Sequence, residues 1–177
     1  MTRESPIDYC SIRVTLNDQG EIKLDNQAYI DKLVSEAGMT DCNTVKSPIS
    51  KEMLKRAAEE QHDDILLADD EKTKFQSHAG DFQWLAQTTH PCIATATSIL
   101  STFCAKPTPT ALLMCKHMIR YLKGTRDRSL IRWNDDTSGF QAWVDSDHAG
   151  LYKITGDYRS RLGVIITYNG MPVYSKY

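Results

Sequence analysis

From residue 9 onward, polar and apolar positions alternate. Ile12, Val14 and Leu16 stand between polar neighbours, Asn17-Asp18-Gln19-Gly20 carries turn chemistry, and Ile22 and Leu24 alternate again. A β-hairpin is predicted over 9–24. The period then lengthens: Tyr29, Ile30, Leu33, Val34 and Ala37 recur at helical spacing, with Asp25 or Asn26 as cap and Gly38 at the stop. Three more helices follow, over about 70–87 (Phe75, Ala79, Phe82, Leu85, Ala86 inward), from Pro91 in a first turn to about 103, and over about 109–123. In the last, Leu112, Cys115, Ile119 and Leu122 share one side, and Gly124 is the expected stop. Beyond it the period falls to two, predicting short strands near 129–133, 140–145, 162–168 and 171–174, the last pair joined by an Asn169-Gly170 turn. The class is α+β: a hairpin, helices, then strands.

Charge changes this picture in two places. Residues 52–71 hold eight acidic residues against Lys55 and Arg56, which reads as a solvated linker over about 50–71. Between 106 and 132 the balance reverses: Lys106, Lys116, Arg120, Lys123, Arg126, Arg128 and Arg132 face the single acid Asp127. Lys116, Arg120 and Lys123 are spaced to line one face of the 109–123 helix, opposite its apolar stripe. Such a row can track a phosphate backbone; the plainer reading is a solvated polar face. Across all 177 residues the two regions offset each other, leaving a net charge of -2 and no global field to draw the chain to nucleic acid or anionic lipid.

Composition excludes several classes. No apolar run approaches the roughly 20 residues of a membrane span, and Met1-Thr2-Arg3-Glu4-Ser5-Pro6 lacks the apolar core of a secretory signal. The five cysteines, at 10, 42, 92, 104 and 115, are odd in number and show no zinc-knuckle or redox spacing, and Cys104 and Cys115 read as small buried hydrophobes. An intracellular chain, cytoplasmic or nuclear, is expected, with no membrane partner.

A second candidate for chemistry is Ala142-Trp143-Val144-Asp145-Ser146-Asp147-His148-Ala149-Gly150. If the strand continues past Asp145, then Asp145 and Asp147 project to one face, where carboxylates can hold Mg²⁺. Two-ion phosphodiester chemistry needs more carboxylates than this pair. The alternative is that Asp147 and Gly150 only turn the chain away from the strand. Ile65-Leu66-Leu67-Ala68-Asp69-Asp70 has the look of a polymerase aspartate turn, but it lacks the aromatic residue, and Asp69 is accounted for as a helix N-cap.

Five blocks in order resemble the C-terminal part of a Ty1/copia-type retrotransposon polyprotein, from the end of the reverse transcriptase into the ribonuclease H domain. They are Tyr9-Cys10-Ser11-Ile12-Arg13-Val14 with Gly20-Glu21-Ile22-Lys23-Leu24; Gln27-Ala28-Tyr29-Ile30 through Gly38-Met39-Thr40-Asp41-Cys42 to Ser47-Pro48; Phe82-Gln83-Trp84-Leu85-Ala86-Gln87-Thr88-Thr89-His90-Pro91; Arg120-Tyr121-Leu122-Lys123-Gly124-Thr125; and Asp145-Ser146-Asp147-His148-Ala149-Gly150 with a later stretch from Asp157 to Gly163. The resemblance implies thumb- and connection-like helices over 1–125 and the first strands of an incomplete ribonuclease H-like sheet over 126–177. It makes Lys116, Arg120, Lys123 and Arg126 expected contacts to an RNA/DNA primer–template or hybrid duplex. It matches Asp145 to the first catalytic, Mg²⁺-binding aspartate of the ribonuclease H site. The polymerase aspartates would lie before the first block, and the other ribonuclease H carboxylates after Tyr177.

This chain departs from the family pattern at several points. Ser11 stands where the family usually has Gly, His90-Pro91-Cys92 replaces Arg-Pro-Asp, Ala111 and His148 replace a usual His and Trp, and the tract over 172–176 is short. Together these imply a partial or decayed element that is catalytically inactive alone. Two alternatives are a Mg²⁺-dependent nuclease using Asp145 with Asp147 or Asp157, and a repurposed small nucleic-acid or protein-binding module. The strand half is expected to keep an unpaired edge and to be loosely held.

Overall fold

The computed structural model describes residues 6–134, 139–156 and 158–176. Three strands open the chain: β1 (Ile7–Tyr9), β2 (Ile12–Leu16) and β3 (Ile22–Asp25). β2 and β3 form the expected hairpin, with Val14 opposite Leu24. β1 extends it through a two-residue turn in which Cys10 (φ 48°) and Ser11 (φ 63°) are both left-handed, the conformation a tight hairpin requires. No Asn-Gly or Asp-Gly marks this turn, so β1 escaped the sequence pattern.

Helix α1 (Gln27–Glu36) ends as predicted. Gly38 adopts φ 65°, and the Met39 N–H bonds back to the Val34 carbonyl at 2.9 Å, closing a Schellman motif. α2 (Lys51–His62), α3 (Asp69–Thr88), a 3₁₀ turn at Pro91–Ile93, α4 (Ala94–Ser101) and α5 (Pro109–Thr125) complete the helical body.

The predicted linker is a correction. Most of 52–71 is α2, capped by the Ser50 hydroxyl accepting from the Met53 N–H, with Leu54 and Ala57 in the core. The remainder is the short connection to α3, whose first turn holds Asp69, Asp70 and Glu71 after an N-cap at Ala68 rather than at Asp69. Most of the acidic side chains that suggested solvation lie outside, as in the exposed Lys55–Glu59 pair at i,i+4, whereas Glu60 turns inward and is reached there by Arg56.

α5 is the central helix, packing on α1, α2, α3 and α4. Thr108 caps it by accepting from the Ala111 N–H at 3.1 Å, Pro109 begins its first turn, and Met114, Cys115, Met118, Ile119 and Leu122 are buried. It does not stop at Gly124 but runs through it to Thr125. The core of buried apolar side chains, from Ile30 to Leu122, comes from the helices, the 3₁₀ turn and Phe103 just after α4; Cys104, expected inside, is only partly covered.

β4 (Leu130–Arg132) returns to the first sheet and pairs antiparallel with β3, Leu24 opposite Leu130, giving the order β1-β2-β3-β4. A strand expected to open the second unit thus completes the first, and the change of sheet falls between 132 and 140 instead of at 126. β5 (Phe140–Ser146), the short α6 (Tyr152–Thr155), β6 (Leu162–Tyr168) and β7 (Met171–Lys176) follow. The three strands form an antiparallel sheet in the order β5-β6-β7, with Asn169-Gly170 as the tight turn. β7 lies beside β4, and β5 is the outer edge. No helix among the described residues is long and apolar enough to cross a membrane.

Candidate functional site

The predicted basic row splits once its partners are known. Arg120 donates from Nε to the Asn43 carbonyl at 2.6 Å, and Lys123 donates from Nζ to the carbonyls of Thr40 at 2.6 Å and Cys42 at 2.8 Å. His117 Nε2 lies 2.9 Å from the Ser47 carbonyl. These α5 side chains therefore satisfy the carbonyls of the non-helical segment over 40–47, which has few backbone partners of its own. Gly124 belongs to the same joint. A Cβ placed there would lie 2.9 Å from Thr44 Cβ, so the segment sits against α5 only because residue 124 has no side chain.

Arg126 is occupied elsewhere, pairing with Asp31 of α1 at 2.8 Å. Lys106 pairs with Asp64 at 3.1 Å, and Arg128 donates to the Tyr121 hydroxyl at 3.2 Å. Lys116 is exposed and makes no hydrogen bond or ion pair with a described residue. Of the four expected nucleic-acid contacts, three are thus spent in part or in full on the chain itself. The sequence signal missed here was reciprocal: a carbonyl-rich segment over 40–47 and a helix bearing Arg, Lys and Gly at matching positions.

At the other candidate, β5 carries Asp145 near its end and Asp147 lies one residue past it. Both line a cleft of about 450 Å³, together with Trp143, Arg161, Leu162 and Thr95 of α4. Thr95 and Arg161 had no signal in the sequence, because only the fold brings them to this strand. The two carboxylates do different things. Asp145 accepts from the Ser146 N–H at 2.9 Å. Asp147 Oδ1 accepts from the Arg161 N–H at 2.6 Å, and its own N–H donates to the Arg161 carbonyl. A Cβ on Gly150 would come within 2.6 Å of Asp147 Oδ2, so the turn closes tightly over that carboxylate. Asp147 and Gly150 form the turn leaving the strand, and His148 is exposed within it. Asp157 lies outside the described residues.

For Mg²⁺ this donor set falls short. Both carboxylates already accept from backbone N–H groups, the Arg161 cation shares the cleft, and no third His, Cys, Asp or Glu joins them among the described residues. A two-ion centre needs more oxygen ligands than this pair supplies.

A buried polar line ties the hairpin to the helices beneath. Asn26 donates to the Ser11 carbonyl at 3.0 Å and accepts from the Thr89 hydroxyl at 2.6 Å, which in turn lies 2.8 Å from His90 Nδ1. His90 Nε2 faces the Thr125 backbone without a full hydrogen bond, and burial pushes its pKa down. His90 stands where the resemblance expects Arg, and this enclosed position favours the neutral ring.

No protein-family model matches the chain, and no solved structure matches it. Curated proteins do. An uncharacterized mitochondrial protein of Arabidopsis thaliana is 27% identical over 159 residues, covering 89% of this chain and 61% of that protein. A putative transposon Ty5-1 protein of Saccharomyces cerevisiae is 25% identical over 167 residues, covering 91% of this chain and 52% of its own length. The retrovirus-related Pol polyprotein from transposon RE1 of Arabidopsis thaliana is 33% identical over 101 residues, 57% of this chain but 7% of that polyprotein. The chain spans between half and two thirds of the first two relatives. These similarities are to proteins named for transposons and their retrovirus-related Pol polyproteins, the kind of protein that the five ordered blocks resemble.

Proposed function

We propose that the chain is the part of such a polyprotein in which the closing hairpin and thumb- and connection-like helices of a reverse transcriptase lead into the first strands of a ribonuclease H-like sheet. Alone it is a non-catalytic, duplex-holding segment. One observation carries this reading: the segment over 40–47 and the Arg120–Thr125 motif, taken from two distinctive blocks, build a single joint. These residues maintain a shape. Contact with nucleic acid falls to exposed Lys116 and to the terminal N–H groups of the Arg120 guanidinium left over beyond its Nε bond.

The test is anisotropy of a labelled RNA–DNA hybrid across a salt series. Binding is expected to weaken linearly in log salt, and Lys116→Ala to shallow the slope by about 1. Lys123→Ala is expected to lower thermal stability first, since it frees two carbonyls. A hybrid affinity indifferent to both salt and Lys116 would end the duplex-holding half of the proposal.

The two carboxylates sharing one cleft favour a second reading, a Mg²⁺-dependent nuclease centred on Asp145. Hybrid cleavage in Mg²⁺ that disappears in Asp145→Asn would put that reading in place of the first. The expected result is no cleavage by either protein.

A further inference from the structure

The outer edge of the second sheet has a definite chemical pattern. The bonds flanking β5 run from the Asn169 N–H to the Gly139 carbonyl and from the Asp147 N–H to the Arg161 carbonyl. Both fit the β5–β6 register, in which Gln141 faces Thr167 and Asp145 faces Gly163. In an antiparallel ladder, residues that bond to one neighbour alternate with residues that bond to the other. Odd-numbered residues of β5 therefore bond to β6. Phe140, Ala142, Val144 and Ser146 turn their N–H and C=O groups outward, where no strand among the described residues pairs with them.

All seven residues of β5 are exposed, including Phe140 at 75%, Trp143 at 53% and Val144 at 66%. Long apolar edges of this kind are templates for another strand. The sequence of β5 also specifies which strand. Laid antiparallel on itself about Trp143, the edge pairs Phe140 with Ser146, Gln141 with Asp145 and Ala142 with Val144, and sets Trp143 against its copy. Every outward-facing residue then meets an outward-facing residue, giving about eight backbone hydrogen bonds. The Asp145 carboxylate meets a Gln141 amide, which can donate to it. A parallel in-register copy would instead place Asp145 beside Asp145, and like charges directly opposite destabilise. The opposite edge, β7, lies beside β4, so the free edge points away from the strand that joins the sheet to the body.

We infer that a second copy of this chain docks on β5, making an antiparallel dimer with one continuous six-stranded sheet and a cross-strand Trp143 pair on its two-fold axis. Two variants address the edge without touching the β5–β6 bonds. Ala142→Pro removes an outward N–H, and Trp143→Lys places two ammonium groups opposite each other.

The experiment is sedimentation equilibrium of the full chain over a broad concentration range, with circular dichroism confirming that each variant is folded. The wild type is expected to pass from monomer to dimer, and both variants to remain monomeric. Trp143→Glu should also be monomeric alone, yet mixing it with Trp143→Lys should restore a heterodimer, an outcome that misfolding cannot produce. A wild type that stays monomeric throughout would overturn the inference. So would an oligomer that survives both Ala142→Pro and Trp143→Lys, or a Lys/Glu mixture that fails to associate. If Ala142→Pro does not fold, the Lys/Glu pair decides alone.

Discussion

Ser11 occupies a backbone conformation that favours glycine. Its φ of 63° is imposed by the two-residue turn between β1 and β2, and its carbonyl is held by Asn26. The resemblance places Gly at this position, and the turn gives that preference a physical cause, since a Cβ in the left-handed region costs about 1 kcal/mol. Ser11→Gly is therefore expected to raise stability by about 1 kcal/mol in urea titrations, with an unchanged m-value.

Glu60 is the opposite case, a carboxylate held inside by its partners. Its two oxygens accept from the Thr110 N–H at 2.9 Å, the Thr110 hydroxyl at 2.6 Å and Arg56 at 3.0 Å. Burial alone would raise its pKa, but these bonds and one from Thr108 outweigh burial and hold it below the ordinary 4.5. A carboxyl depressed on folding stabilises above its unfolded pKa, and that stability is lost as the pH falls through the lower folded value. His90 adds a second acid-sensitive contribution, because burial holds its folded pKa below the ordinary 6.5, and the unfolded chain takes up the proton first. Stability is expected to decline in two stages on acidification, the first beginning near pH 6.5 and the second below about 4.5. Glu60→Gln should cost about 2 kcal/mol at neutral pH and flatten only the second stage.

At the scale of elements, two glycines inside helices separate propensity from packing. Gly80 in α3 has nothing within 4 Å of where a Cβ would be, whereas Gly124 in α5 has Thr44 Cβ at 2.9 Å. Replacing Gly by Ala in a helix interior gains about 1 kcal/mol from propensity. Gly80→Ala is expected to realise most of that gain. Gly124→Ala should forfeit it and lose about 1 kcal/mol more, because a β-branched side chain on a pinned segment has little room to move. Thermal melts of the two variants should shift in opposite directions.

Element type was legible wherever periodicity and punctuation agreed. Gly38 closes α1, Pro109 begins α5, and Asn169-Gly170 joins β6 to β7. The failures share a cause. Charge density hid α2, although Ser50, Leu54, Ala57 and the i,i+4 pairs were present in the sequence. Gly124 was read as a stop because its helical packing partner, Thr44, is eighty residues away along the chain. The candidate site divided similarly. Asp145 at a strand end was legible from local order, but the destinations of Arg120 and Lys123, and the presence of Thr95 and Arg161 in the cleft, depend on tertiary placement.

Over the whole molecule, the acidic and basic stretches are not two separate fields. α2 docks on α5, Glu60 bonds to Thr110, Asp64 pairs with Lys106, and Gln61 donates to the Lys106 carbonyl. One ion pair, Asp64–Lys106, joins the acidic and basic stretches across this interface, and Arg126 is paired with Asp31, so long-range steering of a polyanion falls to the remaining cations of α5. The change of sheet between 132 and 140 has a practical counterpart. A fragment ending at 125 removes β4 and exposes the β3 edge, while one ending at 134 keeps the first sheet whole. The longer fragment is expected to unfold cooperatively and the shorter one to melt earlier and aggregate, measurable by calorimetry and light scattering.

β3 and β4 are neighbours in space, yet the entire helical body lies between them in the chain. Closing that loop by direct diffusion would carry the entropy cost of more than a hundred disordered residues. Once the helices have collapsed around α5, the same two strands are already close. The fourth strand is therefore a late event in folding, and the order of assembly runs from the middle of the chain outward. Substitutions in β4 should accelerate unfolding while leaving the refolding rate nearly unchanged, whereas substitutions at Met118 or Leu122 in α5 should slow refolding itself.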